Sequence, residues 1–256
     1  MKDSGVLKGG FSSYTIPIQA PLYPSPPWLY KGVEAVIIIA FFKGESVEPL
    51  LPKDVEISGD KVMGALWIAR YPRTTLGPYN EALIAIQVST QKGMAYYIPY
   101  IYVTNDSALA AGREVAGAPK KLANIEVKDS YSTIVGVSQR GSMEIRAEVR
   151  PEYKVEESIL QALLPPEGTP LLSLRAIPGI PPRKTKVEEV YWYAKVNFEK
   201  DSSGRIFAWG GPARITLKGS LEDPVDSIEI VEYIQGVYTR FDMELGVYDV
   251  ISEFEV

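Results

Sequence analysis

Short runs rich in Val, Ile, Tyr and Phe recur along the whole chain, separated by Gly, Pro and Asn-Asp pairs. β-branched and aromatic residues favour strands, and the intervening glycines and prolines end them. This pattern predicts twelve strands: Val33–Phe42, Val62–Tyr71, Glu81–Thr90, Ala95–Thr104, Ala123–Val127, Thr133–Ser138, Met143–Val149, Leu171–Ile177, Val190–Phe198, Ile206–Trp209, Ala213–Leu217 and Ile228–Tyr233. Two helices are predicted, one capped by Asn105 and closed near Gly117, the other over Glu156–Leu164. We therefore expect a mainly-β (α+β) fold, an antiparallel barrel or sandwich with few short helices.

The domain organisation is predicted to be simple, because 256 residues suit one large domain and no internal repeat is visible. Five prolines between positions 17 and 27 predict that residues 1–32 form an extended arm on the body. Six prolines lie between Leu164 and Arg183, but the apolar residues Leu171–Ile177 within that segment need burial. We expect a crossing loop with a short strand there, and a single domain over 1–256.

The sequence contains neither cysteine nor histidine. Thiolate nucleophiles, zinc–cysteine sites and Ser-His triads are thereby excluded, and Lys, Glu, Asp, Tyr and Arg are left to carry any chemistry. A net charge of −5 disfavours a nucleic-acid partner. The longest apolar run, Ala35–Phe42, is too short to cross a bilayer, and no apolar segment follows the charged N-terminus. These features predict a cytoplasmic protein, and the lack of cysteine is compatible with a thermophilic source.

The most informative segment is Gly112–Leu122, which reads G-R-E-V-A-G-A-P-K-K-L. It resembles the acetoacetate decarboxylase family, in which a G-R-E segment leads into P-K-K-L and the first lysine forms a Schiff base. Upstream, Leu76–Glu81 (L-G-P-Y-N-E) is similar to the family segment that ends in an active-site glutamate. Pro21-Leu22-Tyr23-Pro24, followed by Pro27, resembles the family's N-terminal arm. The resemblance covers most of residues 20 to 150.

The resemblance implies a cone-like antiparallel β-barrel that assembles into a homo-oligomer and encloses the lysine in a cavity. Lys120 takes the position of the Schiff-base lysine, and Glu81 takes that of the glutamate that shuttles a proton or orients the intermediate. The implied substrate is a small keto acid, with no metal or organic cofactor required.

A lysine nucleophile must be neutral, whereas an ordinary lysine has a pKa of about 10.4 and is almost fully charged at pH 7. Burial or a neighbouring cation lowers such a pKa, and acetoacetate decarboxylase is the established example. Lys121 is the candidate neighbouring cation. On a regular strand, however, adjacent side chains point to opposite faces, and alternation with Ala123, Ile125 and Val127 would bury Lys121 rather than Lys120. The choice of Lys120 therefore rests on the resemblance.

Two positions depart from the family pattern. Val33 and Leu66 stand where the decarboxylases have a pocket arginine and a second pocket glutamate, so we expect both side chains to face an unusually apolar cavity. Lys31, Arg70 and Arg73 are the candidate replacement cations for a substrate carboxylate. If none of them enters the cavity, acetoacetate turnover should be very slow, whereas neutral ketones or aldehydes should still form the imine.

Three functions remain open at this stage. The first is decarboxylation of a small keto acid through a Schiff base on Lys120. The second keeps the imine but performs aldol or dehydration chemistry. The third is a non-catalytic small-molecule-binding barrel, against which the presence of both Lys120 and Glu81 argues.

Overall fold

The computed structural model describes residues 18–165 and 167–256, and the side chains of residues 247 and 248 are not part of that description. Its strands are β1 (Trp28–Lys43), β2 (Lys61–Tyr71), β3 (Arg73–Thr74), β4 (Tyr79–Thr90), β5 (Gly93–Val103), β6 (Lys120–Leu122), β7 (Asn124–Ser130), β8 (Thr133–Arg140), β9 (Met143–Val149), β10 (Tyr153–Lys154), β11 (Thr169–Ile177), β12 (Lys186–Phe198), β13 (Ala208–Gly211), β14 (Ala213–Lys218) and β15 (Ile230–Glu255). The α-helices are α1 (Gly44–Val47), α2 (Asp106–Ala111) and α3 (Glu157–Leu163), with a π-helical turn at Gly112–Ala116 and 3₁₀ turns at Glu48–Leu50 and Val225–Ser227. The mainly-β prediction is confirmed. No helix in these ranges combines the length and apolar character needed to span a bilayer.

Seven strands form a closed ring of pairings in the order β1–β2–β4–β5–β11–β12–β15, because β15 pairs with both β12 and β1. The ring is antiparallel except between β5 and β11, where Leu171 lies beside Tyr96 in a parallel pair. β6 is also parallel to β5. The antiparallel pairing expected from the sequence therefore holds for the rest of the ring, and at these two places a crossover connection brings each strand back to the edge of β5 in parallel.

A second sheet of four strands, in the order β14–β9–β8–β7, packs on the ring. The two-residue alternation of strands sends ring side chains either to the interior of the ring or to this second sheet. Ile68 and Ile84 of the ring, for example, belong to the same buried cluster as Ile134 and Ile145 of the second sheet. A separate buried cluster, which includes Trp67 and Trp192, surrounds the interior cavity.

The structure ends the N-terminal arm earlier than the sequence predicted. Residues 1–17 lie outside the described residues, and β1 already begins at Trp28, so 28–32 belong to a strand. The intervening segment does lie on the body: Tyr23 donates a 2.5 Å hydrogen bond to Glu114, and Ser107 donates to the carbonyl of Leu22.

Both predicted helices are present, and the strand predicted to end at Tyr233 continues as β15 to Glu255. Gly236 follows shortly after the predicted end. Gly236 stays in the strand, where an added Cβ would lie 2.4 Å from the Cβ of Ala213. It marks a close approach of two strands rather than a turn.

We expect Gly64→Ala to destabilise the fold by about 1–3 kcal/mol through overpacking. A Cβ on Gly64 of β2 would lie 2.4 Å from the carbonyl oxygen of Ala85 and 2.4 Å from the ring of Phe42. The measurement is the urea midpoint of unfolding. Lys61→Ala, at an exposed position on the same strand, is the control and should change stability by less than about 0.5 kcal/mol. Equal midpoints for both variants would contradict the tight packing described here.

Candidate functional site

Two local features position the segment that carries Lys120 and Lys121: a capped helix and a glycine with a left-handed backbone conformation. Asn105 caps α2 by accepting a hydrogen bond from the amide of Ala108, as the sequence predicted. The π-helical turn Gly112–Ala116 then ends at Gly117, whose φ of +72° favours glycine. The amide of Ala118 donates to the carbonyl of Gly112 at 2.9 Å, which turns the chain back towards β6.

Lys120 faces the interior because β6 runs parallel to β5 with Lys120 beside Ile101, which belongs to the cluster around the cavity. Lys121 lies beside Tyr102, which belongs with Ile125 to the cluster between the ring and the second sheet. Alternation predicted the wrong lysine because it assumed one buried face, whereas both faces of the ring are buried. The side chain of Lys120 is 4 % exposed and that of Lys121 is 38 % exposed.

Lys121 is directed away from Lys120 and into a cluster of its own. Its amine lies 2.6 Å from Asp223 Oδ1 and donates a second hydrogen bond to the carbonyl of Glu222. Asp223 is buried and also accepts a hydrogen bond from Tyr102, with Arg140 at 3.3 Å. Lys121 is thus paired with its own carboxylate, so the proposed neighbouring cation points away from Lys120.

The buried amine of Lys120 lies 2.8 Å from Glu81 Oε2. β5 brings the two residues together, because Glu81 pairs with Val103 on one edge of β5 and Lys120 pairs with Ile101 on the other. Val103 and Ile101 are two residues apart and share a face, so their partners on both sides share it as well. The expected contact between Lys120 and Glu81 is therefore built into the strand register.

Aromatic side chains complete the surroundings of this ion pair. Tyr71 donates a 3.0 Å hydrogen bond to Glu81 Oε1, and the indole of Trp67 donates a 3.1 Å hydrogen bond to the Tyr71 hydroxyl. Tyr79 places its ring 5.7 Å from the Lys120 amine and donates to the hydroxyl of Tyr30. Burial, reinforced by the negative charge of Glu81, raises the pKa of Tyr71 well above its ordinary value, so Tyr71 stays a donor.

The ion pair lies in the wall of a largely apolar cavity inside the ring. The cavity has a volume of about 80 Å³. A single water molecule needs roughly 10–15 Å³ when cavity volume is measured in the same way. A ligand of several heavy atoms therefore fits. The wall is formed by side chains from most strands of the ring and from the end of α3: Tyr30, Ala65, Trp67, Tyr71, Glu81, Leu83, Ala85, Tyr96, Ile98, Lys120, Leu163, Leu164, Thr169, Leu171, Trp192, Ala194, Val196, Met243 and Leu245.

The structure does not place Leu66 in this wall. Leu66 belongs to the cluster shared with the second sheet, whereas its neighbours Ala65 and Trp67 face the cavity. Strand alternation within β2 explains the error, since odd and even positions point to opposite faces. Val33 is fully buried in the cluster that surrounds the cavity but is not one of the wall residues.

The three candidate cations also lie outside the cavity. Lys31 pairs with Asp242 at 2.7 Å and Arg70 pairs with Glu34 at 2.6 Å, both with side chains at least half exposed. Arg73 is exposed on β3. Of the residues that the structure describes, Lys120 is the only cation in the wall.

Several residues of the site were not identified from the sequence. Tyr71 and Trp67 could have been found by counting from Glu81 across the hairpin of β2 and β4, because all three lie on the same face. Asp223 gave no local signal, since it is about a hundred residues from Lys121. Trp192 and Thr169, from the second half of the chain, reach the cavity wall only because β11 and β12 complete the ring. Such long-range pairing could not be read from the sequence.

We expect Gly112→Ala to displace the Lys120 side chain. An added Cβ would lie 2.5 Å from Lys120 Cδ and 2.7 Å from its Cε. The rate at which borohydride traps a carbonyl adduct on Lys120 should fall by about ten- to a hundredfold, because small misplacements of a reacting group are costly. Gly136→Ala is the matched control: its Cβ would crowd Ile68, in the cluster away from Lys120. Equal trapping rates for the two folded variants would contradict this role of Gly112.

We expect Asp223 to make stability depend on pH below about 4. Burial opposes its ionisation, but hydrogen bonds from Lys121 and Tyr102 outweigh burial and lower its pKa below the ordinary value. The stabilisation is therefore present above the unfolded-state pKa and is lost as pH falls through the folded-state pKa. Asp223→Asn should be less stable at pH 7 and should lose less stability than the wild type on acidification, as measured by urea unfolding. The exposed Asp60→Asn is the control, and parallel pH profiles for wild type and Asp223→Asn would refute the assignment.

Comparisons with known proteins identify the family of this chain. The family model described as acetoacetate decarboxylase matches residues 15–253. Acetoacetate decarboxylase 3 of Mesorhizobium japonicum is 27 % identical over 243 residues, which covers 94 % of this chain and 91 % of that protein. Acetoacetate decarboxylase of Clostridium botulinum is 26 % identical over 240 residues, with 94 % and 95 % covered.

Solved structures show the same fold. The crystal structure of acetoacetate decarboxylase from Legionella pneumophila superposes with a TM-score of 0.79 at 22 % identity and covers 99 % of this chain and 98 % of that chain. The enduracididine biosynthesis enzyme MppR, complexed with the condensation product of pyruvate and imidazole 4-carboxaldehyde, superposes with a TM-score of 0.76 at 17 % identity, with 94 % and 97 % covered. With the family model matched over nearly its whole length, the chain belongs to the acetoacetate decarboxylase family.

Proposed function

We propose that this protein is a lyase that forms a Schiff base between Lys120 and the carbonyl group of a small substrate. The observation that supports this most is the contact between the buried Lys120 amine and Glu81 in the wall of an apolar cavity. A buried lysine with an adjacent base is the arrangement that amine nucleophiles need. Membership of the family supports the same chemistry.

The first steps follow from the 2.8 Å contact. Glu81 accepts a proton from the Lys120 ammonium, and the neutral amine adds to the carbonyl carbon to form a carbon–nitrogen bond. The carbinolamine oxygen gains a proton and leaves as water, which produces a protonated imine on Lys120. Tyr71, which is hydrogen-bonded to Glu81, holds the carboxylate in position for these transfers.

For a β-keto acid, the bond to the carboxylate then breaks and its electron pair moves to the iminium nitrogen. Carbon dioxide leaves, Glu81 takes up a proton from solvent and passes it to the enamine carbon, and water hydrolyses the resulting iminium to release the ketone and Lys120. Each atom of the substrate is recovered in the two products, and no oxidant, metal or organic cofactor takes part.

A second candidate is aldol-type chemistry from the same imine. Glu81 then removes a proton from the carbon next to the iminium, and the enamine attacks an aldehyde to form a carbon–carbon bond. The composition of the cavity wall favours this candidate, because among the wall residues of the described chain no cation besides Lys120 is available for a substrate carboxylate. MppR, complexed with the condensation product of pyruvate and imidazole 4-carboxaldehyde, offers a precedent for this class on the same fold.

Borohydride trapping tests the proposal directly. We expect incubation with a panel of keto acids and ketones, followed by borohydride, to produce a stable adduct that peptide mass spectrometry locates on Lys120. An adduct that has lost the carboxylate supports decarboxylation, and one that retains it supports aldol-type chemistry. Lys120→Gln should abolish the adduct, whereas Lys121→Gln, which removes the same charge from the adjacent residue, should retain it. Absence of an adduct with every compound, or its loss in Lys121→Gln alone, would refute Lys120 as the nucleophile.

A further inference from the structure

The formal charges in the cavity wall balance before any ligand binds. Lys120 and Glu81 contribute one positive and one negative charge and contact each other directly. The other wall residues of the described chain are apolar or carry neutral polar groups. Both members of the pair are less than a tenth exposed, so solvent screens them weakly.

Imine formation preserves this balance when the substrate is neutral. The ammonium of Lys120 is replaced by an iminium of the same charge, water leaves, and Glu81 remains the counter-ion. A keto acid brings an additional carboxylate, so the cavity would hold two negative charges and one positive charge. Burying an unpaired charge among apolar groups is costly, and balance would return only if Glu81 took up a proton from solvent.

The nearby cations do not relieve this excess. Arg70 is paired with Glu34 and Lys31 with Asp242 on the outside of the ring. Two tyrosines of the wall add no charge either: burial raises the pKa of Tyr96 to about 12, and burial raises the pKa of Tyr71 well above its ordinary value. Tyr96 is accordingly neutral at pH 7, as is the Thr169 hydroxyl, which has no hydrogen-bond partner among the described residues. Neutral hydroxyl groups match the oxygen of a ketone or ester better than they neutralise a carboxylate.

We infer that the cavity selects an uncharged carbonyl compound, such as a ketone, aldehyde or keto ester, over a keto acid of the same skeleton. This inference rests on the proposed function only for the reaction that follows binding. The selection itself arises from the charge count of the Lys120–Glu81 pair and from the apolar wall. It also predicts that any keto acid that binds takes up one proton with it.

The test compares acetoacetate with methyl acetoacetate, which share a β-keto skeleton and differ in charge. Binding is followed by the fluorescence of Trp67 and Trp192, both in the cavity wall. We expect the wild type to bind the ester more tightly by at least about tenfold. Glu81→Gln leaves the charge of Lys120 without its counter-ion, so the preference should shift towards acetoacetate by a similar factor.

Glu126→Gln is the matched control, because Glu126 is exposed and pairs with Lys128 at 2.8 Å on the second sheet. It should leave the preference unchanged. If Glu81→Gln does not fold, calorimetry of acetoacetate binding to the wild type in two buffers of different ionisation enthalpy replaces it and should show uptake of about one proton. Tighter or equal binding of acetoacetate without proton uptake, or its brisk decarboxylation, would overturn the inference.

Borohydride trapping on the same preparation separates this inference from the proposed function. A preference for the ester without any adduct would support the selection and refute the Schiff base. An adduct formed equally well from acid and ester, with equal affinities, would support the Schiff base and refute the selection.

Discussion

The contact between Lys120 and Glu81 is the interaction on which the rest of the site depends. Removing one member of a buried ion pair typically costs about 3–5 kcal/mol, since the other charge is left uncompensated. The structure satisfies the pair with further groups: Tyr71 donates to Glu81, and Trp67 donates to Tyr71. The register of β5 with β4 and β6 fixes both ends of the contact. The path of β6, the aromatic wall and the two parallel pairings therefore all serve one charge pair.

The sequence predicted the local features of this architecture and missed those set by distant contacts. Runs of β-branched and aromatic residues located the strands, and Asn105 and Gly117 located the helix ends, because each signal acts within a few residues. Lys121 was harder to place, since its surroundings depend on the distant Asp223. Alternation across residues 120–127 chose the wrong lysine because both faces of the ring pack against buried clusters. Leu66 was misplaced for a different reason: the family position suggested a cavity residue, whereas the alternation of β2 sends it to the other core.

Two glycines near Lys120 shape the site through the space that they leave, although they contribute no functional group. Gly117 adopts a left-handed conformation and lies so close to β11 that a Cβ would meet the backbone of Arg175 at 2.6 Å. Gly112 leaves the space that the Lys120 side chain occupies. Together they allow the short helix to sit against the lysine and exclude water from it. The G-R-E-V-A-G pattern thus has a steric meaning that is independent of any chemistry of its own residues.

The ion pair also reconciles two requirements that seem opposed. A carboxylate next to an amine favours the ammonium form, yet only the neutral amine can attack a carbonyl. In the reaction that we propose, transfer of the proton from Lys120 to Glu81 produces the nucleophile while the pair as a whole stays neutral, so no charge has to cross the apolar wall. Glu81 Oε2, 2.8 Å from the Lys120 amine, can then return that proton to the carbinolamine oxygen. An apolar cavity is compatible with this chemistry because the charges are created and removed in pairs, and it becomes restrictive only when the ligand brings a charge of its own.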